Sequence, residues 1–148
     1  MPAGTNYCIS EGMLGKQFIE LDRDRDGVTD HVAIPVFNQF LHPNHPLGWI
    51  RKLDVAIDGK SVPPERMAFV VRDQWIAFEH LASITDIWWY MHEEARIVIK
   101  GPPIPAGEHQ VTCTFAVSLH VHTPNIDRDD CWPSLEQTIT ATLIAGTL

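Results

Sequence analysis

The sequence predicts an all-β fold, an antiparallel two-sheet β-sandwich that forms a single domain over residues 1–148. Two observations carry this prediction: apolar and polar residues alternate along several runs, and Gly, Pro and Asp clusters separate those runs. The chain has 148 residues and no break in composition. That length suits one domain that buries roughly two-thirds of its unfolded surface. We count about seven or eight short strands, the number typical of a sandwich or a barrel.

The predicted strands follow one another in chain order. QFIEL and HVAIPV flank an acidic turn, and KLDVAID places Leu53, Val55 and Ile57 on one side. Asp58-Gly59 then predicts a tight reversal. HLASITDIW, from His80, is consistent with one short helical turn, and ARIVIK alternates again. PPIPAG interrupts pairing because proline has no N–H for a ladder, and SLEQTITATLIA closes the chain as a strand rich in β-branched residues.

The longest alternation is QVTCTFAVSLHV, from Gln110 to Val121. One face of this run is polar or small, and the other is apolar, which predicts a strand with one dry face. We therefore expect four of its side chains to be buried between the two sheets: Val111, Phe115, Val117 and Leu119.

Composition and charge exclude several classes of protein. The net charge of −8 and the pI of about 5.3 argue against nucleic-acid or anionic-membrane partners, which select for clustered Lys and Arg. MPAGTNYCIS lacks the pattern of a secretory signal, and no apolar run is long enough to span a membrane. Three cysteines without C-x-x-C spacing fit reduced thiols in a cytosol, so we expect a cytoplasmic protein.

The acidic turn DRDRDGVTD has the spacing of part of a calcium loop. Asp22, Asp24, Asp26 and Asp30 alternate around Gly27. An EF-hand would need a Glu where Ala33 stands, and the flanking runs are predicted strands. A charged hairpin tip is therefore the favoured interpretation, and calcium binding stays open.

Two further motifs have a functional and a structural interpretation. His120-x-His122 places two imidazoles on one strand face, a pair that could bind metal, but solvent-facing histidines are favoured. In the run Trp88-Trp89-Tyr90, the first and third side chains share one face. These aromatics either pack between the sheets, which is the commoner use, or stack on sugars or flavonoids, or anchor a protein interface. We find no nucleophile elbow, phosphate loop or H-E-x-x-H, and predict no catalytic and no metal-binding residue in this chain.

Two stretches of the sequence resemble the β (small) subunit of bacterial C-glycoside deglycosidases. They are HVAIPVFNQFLHPNHPLGWIRKLDVAIDGKSVPP and ITDIWWYMHEEARIVIKGPPIPAGEHQVTCTFAVSLHVHTP. The resemblance covers roughly residues 10 to 124, and its matching residues are Ile34-Pro35, Pro46-Leu47, Asp58-Gly59, Trp88-Trp89 and Gly107-x-His109.

The resemblance implies a function. Such enzymes are lyases that cleave the carbon–carbon bond between a 3-oxo sugar and an aromatic aglycone, as in oxidised C-glucosides of flavonoids or anthraquinones. The α subunit would resemble a sugar-phosphate isomerase or epimerase barrel and carry a divalent metal, Mn²⁺, with histidine acid/base groups. The small subunit would be a non-catalytic β-sandwich, without a cofactor of its own, in a hetero-oligomer. A free-standing carbohydrate- or glycoside-binding module is the alternative.

The sequence departs from that family between Ile34-Pro35 and Pro46-Leu47, where the loop NQFLHPNHPLGW is longer and unusually apolar. A contiguous apolar patch is rare on a free monomer, and aromatic side chains are frequent interface hot spots. We therefore predict that residues 38–49 face the α subunit, with Phe40, Leu41 and Trp49 as apolar contacts. His42 and His45 are candidates for the edge of the partner's sugar pocket, although structural or surface roles are favoured for both.

Overall fold

The structure, a computed structural model, describes residues 13–38, 45–84, 86–90, 93–117 and 135–146. Within these ranges the chain is built from β-strands and short 3-10 helices. The strands are β1 (Ile19–Leu21), β2 (His31–Phe37), β3 (His45–Pro46), β4 (Ile50–Ile57), β5 (Lys60–Ser61), β6 (Met67–Val71), β7 (Gln74–Ala77), β8 (Trp88–Trp89), β9 (Glu94–Lys100), β10 (Gly107–Val117) and β11 (Leu135–Ala145).

The strands form two main antiparallel sheets and one small ribbon. The first sheet has the order β1-β2-β9-β6-β7, the second has the order β11-β10-β4-β5, and β3 pairs with β8. The longest ladder joins β10 to β11, from Gly107 opposite Ala145 to Val117 opposite Leu135. The predicted all-β sandwich is confirmed.

The core lies between the two sheets. Its largest fully buried side chains come from both: Ile34 and Phe69 from the first sheet, Phe115 and Leu143 from the second. The alternation of the long strand is confirmed at Val111, Cys113 and Phe115, which are all buried. Of the other two predicted core residues, Val117 has no described side chain and Leu119 lies outside the described residues.

Strand β2 shows why one predicted strand does not alternate. Residues 32–36 are buried one after another. A second, smaller cluster on the outer face of the first sheet contains Ala33, Val70 and Val98, with Trp75 packed against it. Because β2 is covered on both faces, its sequence is a continuous apolar run.

Two tight hairpins connect neighbouring strands. Asp58 and Gly59 both have positive φ, at 52° and 81°, between β4 and β5. Arg72 and Asp73 also have positive φ, at 48° and 65°, between β6 and β7. Positive φ at both central residues is the geometry of a type I′ turn, whose twist matches that of the strands. The first turn was predicted, and the second has no glycine to reveal it.

Three further connections contain short 3-10 helices, at Leu47–Trp49, Pro64–Arg66 and Phe78–Ser83. The last of them contains the helical turn predicted at His80. In the described ranges, no helix has the length and apolar character needed to cross a membrane.

Candidate functional site

The first candidate site is built around the short strand β8, which pairs with β3 so that Trp89 lies opposite His45 and Trp88 opposite Pro46. Trp89 is fully buried and packs edge-on against Phe69, with 5.2 Å between the ring centroids. Its indole N–H donates to the backbone oxygen of Glu93 at 2.8 Å. The hydrogen bond satisfies the one polar atom of this large ring, so Trp89 belongs to the core.

The residues on either side of Trp89 point the other way. Trp88 is 39% exposed and Tyr90 is 51% exposed. The alternation predicted for this run is therefore confirmed, and it divides the three aromatics between the core and the outside. Together with Arg72, which contacts both neighbours, Trp88 and Tyr90 form what we call the aromatic surface.

Arg72 is held in place by three contacts. Its guanidinium carbon lies 5.4 Å from the centre of the Tyr90 ring, and its Nη2 donates to the backbone oxygen of Trp88 at 2.7 Å. Nη1 pairs with the carboxylate of Glu93, which also accepts the backbone N–H of Tyr90 at 3.0 Å. The type I′ turn before β7 places Arg72 beside β8. The aromatic surface is thus ordered before any partner arrives, which lowers the entropy lost on binding.

The second candidate site is a histidine clamp formed by Asp58, Pro105 and His109. The Nδ1 of His109 lies 2.6 Å from Oδ2 of Asp58, and its Nε2 lies 2.6 Å from the backbone oxygen of Pro105. The other carboxylate oxygen of Asp58 accepts the backbone N–H of Gln110 at 2.9 Å. Both ring nitrogens therefore face oxygen acceptors, an arrangement that favours imidazolium because only the protonated ring donates from both.

The contacts of the histidine clamp shift the pKa values of His109 and Asp58 in opposite directions. The hydrogen bond to Asp58 and that to the Pro105 carbonyl raise the pKa of His109. The hydrogen bonds from His109 and from the Gln110 backbone hold the pKa of Asp58 below its usual value. The clamp brings together Asp58-Gly59 and Gly107-x-His109, two motifs far apart in the sequence, through the pairing of β4 with β10. It holds the segment PPIPAG, residues 102–107, which we call the proline turn, against the β4–β5 hairpin.

The third candidate is the acidic turn. Carboxylate oxygens of Asp22, Asp24 and Asp30 lie within 4.8 Å of one another, whereas Asp26 is not part of this group. The carboxylates also accept backbone N–H groups of the turn itself, as Asp30 does from Arg23 at 2.9 Å. That bond, with the His31 side chain, holds the pKa of Asp30 low. A hydrogen bond with Asp22 raises the pKa of Asp24 to about 6. These contacts are those of a self-closed charged turn, as favoured from the sequence.

The structure reaches only part of the loop predicted to face a partner. Phe40, Leu41 and His42 lie outside the described residues, as do His120 and His122. His45 is placed in β3, but its side chain is not described. Trp49 ends a 3-10 helix and packs, partly buried, against the main core. Its role in an interface stays a prediction.

Sequence reasoning identified the aromatics but missed Arg72 and Glu93, which hold them. The signal for Arg72 is weak, since the hairpin it occupies has no Gly or Asn. The histidine clamp was not predicted either, although Asp58 and His109 both belong to motifs that carry the family resemblance. A contact between residues 51 positions apart appears only when β4 and β10 are paired.

Comparison with known proteins shows which family this chain resembles. Residues 43–120 match the model of a family described as C-glycoside deglycosidase beta subunit. The chain is also similar to the 3'-dehydrocarminate deglycosidase beta subunit of a Microbacterium species, with 26% identity over 96 residues. That alignment covers 65% of this chain and 69% of the relative. The aromatic surface and the histidine clamp both lie inside the matched range, and the acidic turn lies outside it.

Proposed function

We propose, from the premise that this chain belongs to the family of C-glycoside deglycosidase beta subunits, that it is the non-catalytic small subunit of a lyase. The complex would cleave the carbon–carbon glycosidic bond of a 3-oxo-C-glycoside by elimination. The name of the relative gives 3'-dehydrocarminate as what that protein's complex acts on. That name supports an oxidised C-glycoside with an aromatic aglycone, of anthraquinone or flavonoid type, as the substrate class here.

The chemistry of this chain's own residues supports a non-catalytic role. Both ring nitrogens of His109 are engaged by Asp58 and Pro105, so this imidazole is poorly placed to exchange a proton with a substrate. Burial raises the pKa of the Cys113 thiol to about 12, which makes it a poor nucleophile. Among the described residues of the matched range, the groups whose pKa is clearly shifted are these two and Asp58, whose carboxylate is engaged by His109 and the Gln110 backbone.

We infer that the acid/base groups and the metal belong to the alpha subunit. Elimination of an aglycone requires a base at C2 of the sugar and charge stabilisation at the 3-keto oxygen, which a divalent metal such as Mn²⁺ supplies. Among the described residues, the group suited to a cation is the acidic turn, whose three grouped carboxylates are exposed or half-buried, already accept backbone N–H groups of the turn and lie outside the matched range. It does not fit the metal of this reaction.

The aromatic surface is the observation that supports an obligatory partner. In the described part of the chain, the large apolar side chains that are strongly exposed are Val28, Trp88 and Tyr90. Two of these three are separated by one residue in the chain, and Arg72 contacts the backbone of the first and the ring of the second. Trp, Tyr and Arg are the residue types that carry most binding energy in protein interfaces. We therefore infer that this surface docks the alpha subunit.

The docking proposal is tested by co-expressing the tagged chain with its alpha subunit, which would be sought as an isomerase-like protein among the neighbouring genes. The wild-type chain should retain the partner through affinity and size-exclusion chromatography. The double variant Trp88→Ala/Tyr90→Ala should lose it while keeping the wild-type melting temperature. Val28→Ala is the matched control, since it removes an exposed apolar side chain from the acidic turn. Retention of the partner by the double variant would place docking elsewhere.

The activity is tested separately, with a 3-oxo-C-glycoside as substrate and Mn²⁺ in the buffer. The isolated chain should release no aglycone, and the purified complex should release it. Turnover by the isolated chain would contradict the non-catalytic role.

The same aromatic side chains could instead stack on a sugar ring, which is how a free-standing glycoside-binding module would use them. Saturable binding of a C-glycoside by the isolated chain, abolished by Trp88→Ala, would favour that function.

A further inference from the structure

A pocket of about 480 Å³ lies beside the histidine clamp, away from the aromatic surface. We call it the proline-turn pocket. Both sheets contribute to its walls, through Val32 and Ile99 of the first and Ile57 of the second. The proline turn adds Pro102, Ile104 and Pro105. Pockets of a few hundred cubic ångströms with mainly apolar walls are the usual form of small-molecule sites.

The histidine clamp keeps one wall of this pocket in place. His109 lines the pocket and binds Asp58 of the β4–β5 hairpin and the Pro105 backbone oxygen at the same time. The three prolines of the turn, with φ fixed by their rings, restrict it further. The cavity is therefore formed without a ligand, and little conformational entropy is lost when it is filled.

The charged side chains of the pocket are mainly cationic. Lys60, Arg66 and the clamped His109 face a single carboxylate, that of Asp58. The neighbouring pocket of about 430 Å³ beside β4 has the opposite balance, with one lysine and three carboxylates: Lys52, Asp54, Glu65 and Glu79. In a chain with a net charge of −8, a concave site with an excess of cations attracts anions in particular.

Arg66 is positioned to bind such an anion. Its Nε donates to the backbone oxygen of Lys100 at 2.9 Å. Gly101 follows, with φ of 153°, and a Cβ there would collide with the terminal nitrogen of Arg66. The glycine thus lets the guanidinium lie against the backbone at the pocket. Across the residues described, neither Lys60 nor Arg66 has a carboxylate within 4 Å, so their remaining donors are available to a ligand.

We propose that the proline-turn pocket binds a small organic anion, with its apolar body between the two sheets and the proline turn and its anionic group on Arg66 and Lys60. This site goes beyond the proposed subunit function, because it requires neither the alpha subunit nor the aromatic surface. The shared chemistry is an apolar ring or short chain that carries one carboxylate or a similar anionic group.

The test uses isothermal titration calorimetry with 2-naphthoate and octanoate as probes and the full-length chain at pH 7. At least one of the two anions should bind saturably, with one molecule per chain. The neutral 2-naphthalenemethanol should bind about tenfold more weakly, because it cannot form the charge-assisted hydrogen bonds. Arg66→Gln should weaken anion binding by about tenfold or more, and Arg96→Gln, a matched exposed arginine of β9, should not change it.

A second variant tests the apolar part of the pocket while keeping the charges. Val62→Phe places a larger side chain at a position that lines the cavity, so it should abolish binding. Its melting curve should still show a folded protein at the temperature of the titration. The proposal is overturned if neither anion binds saturably, if Arg66→Gln and Arg96→Gln weaken binding equally, or if Val62→Phe binds as the wild type does. Because the alpha subunit is absent from every measurement, failure here leaves the docking proposal unaffected.

Discussion

The two faces of β8 differ in what their aromatic side chains do. On the inner face, Trp89 is fully buried against Phe69, with its indole N–H bonded to a backbone oxygen. On the outer side, Trp88 and Tyr90, the residue that follows β8, keep 39% and 51% of their surface exposed. Neighbouring residues of nearly the same chemistry therefore contribute to different equilibria. The inner ring stabilises the fold, whereas the outer rings leave apolar area available for a second protein.

The contacts around Arg72 and Glu93 explain how the outer rings stay exposed without collapsing. The backbone oxygen of Glu93 accepts a hydrogen bond from the indole N–H of Trp89, and the carboxylate of Glu93 forms an ion pair with Arg72. Arg72 in turn bonds the carbonyl of Trp88 and stacks on Tyr90. Glu93 thus connects the buried Trp89 with the aromatic surface. Because Glu93 also binds Arg72 and the backbone N–H of Tyr90, the position of that surface depends on the packing of Trp89.

The largest effect is expected on the inner face. Trp89→Ala should lower the free energy of unfolding by about 3–5 kcal/mol, because it removes a large buried ring and leaves a cavity. Urea denaturation of the isolated chain measures this change. A Trp89→Ala variant with wild-type stability would mean that the inner face of β8 does not form part of the core.

An intermediate effect on stability is expected at the histidine clamp, whose side chains are more exposed than Trp89. His109→Gln should lower stability most between about pH 4 and pH 6.5, the ordinary values for Asp and His. The raised pKa of His109 contributes stability that is complete below pH 6.5 and is lost as the pH rises through the folded value. The lowered pKa of Asp58 contributes stability that is complete above pH 4 and is lost as the pH falls through its folded value.

Urea denaturation of the wild type and of His109→Gln at a series of pH values measures how the free energy of unfolding of each depends on pH. His80→Gln is the control, because His80 lies 3.6 Å from Glu79 but its side chain is 67% exposed. Equal pH profiles for the wild type and His109→Gln would show that the clamp does not stabilise the fold.

The smallest effect is expected at Asp24, an exposed residue of the acidic turn. The pKa of Asp24 is raised to about 6, first by its hydrogen bond with Asp22, so near pH 7 two carboxylates repel each other. Asp24→Asn should raise the melting temperature slightly at pH 7, in a buffer with chelator. The gain should vanish at pH 5, where the wild-type carboxyl is protonated. A loss of stability at pH 7 would contradict repulsion within this turn.

Local patterns in the sequence predicted much of the fold. The alternation in β10 identified Val111 and Phe115 as core, because one strand with one dry face follows a period of two. The β6–β7 hairpin was missed, since Arg72 and Asp73 adopt positive φ without the glycine that usually marks such a turn. The periodicity of apolar residues in helices and strands does not show which non-glycine residues adopt positive φ.

The candidate sites were harder to predict because they depend on pairing across the fold. The alternation of Trp88, Trp89 and Tyr90 was visible, but which face meets the core is decided by Phe69 on another strand. The bond between Arg72 and Glu93 joins residues 21 positions apart, and it forms because β6 pairs with β9, so that the turn after β6 lies beside the residue that precedes β9. Long-range contacts of this kind leave no local signal.

The dissociation constant of the complex tests the central claim most directly. The purified alpha subunit would be titrated with the wild-type chain, with Trp88→Ala/Tyr90→Ala and with Val28→Ala, while denaturation curves report the stability of each. The account predicts that the double variant weakens assembly by about 2 kcal/mol or more and changes its own stability by no more than about 0.5 kcal/mol, and that Val28→Ala changes neither. Wild-type affinity in the double variant would contradict the claim that the outer face of β8 is the docking surface.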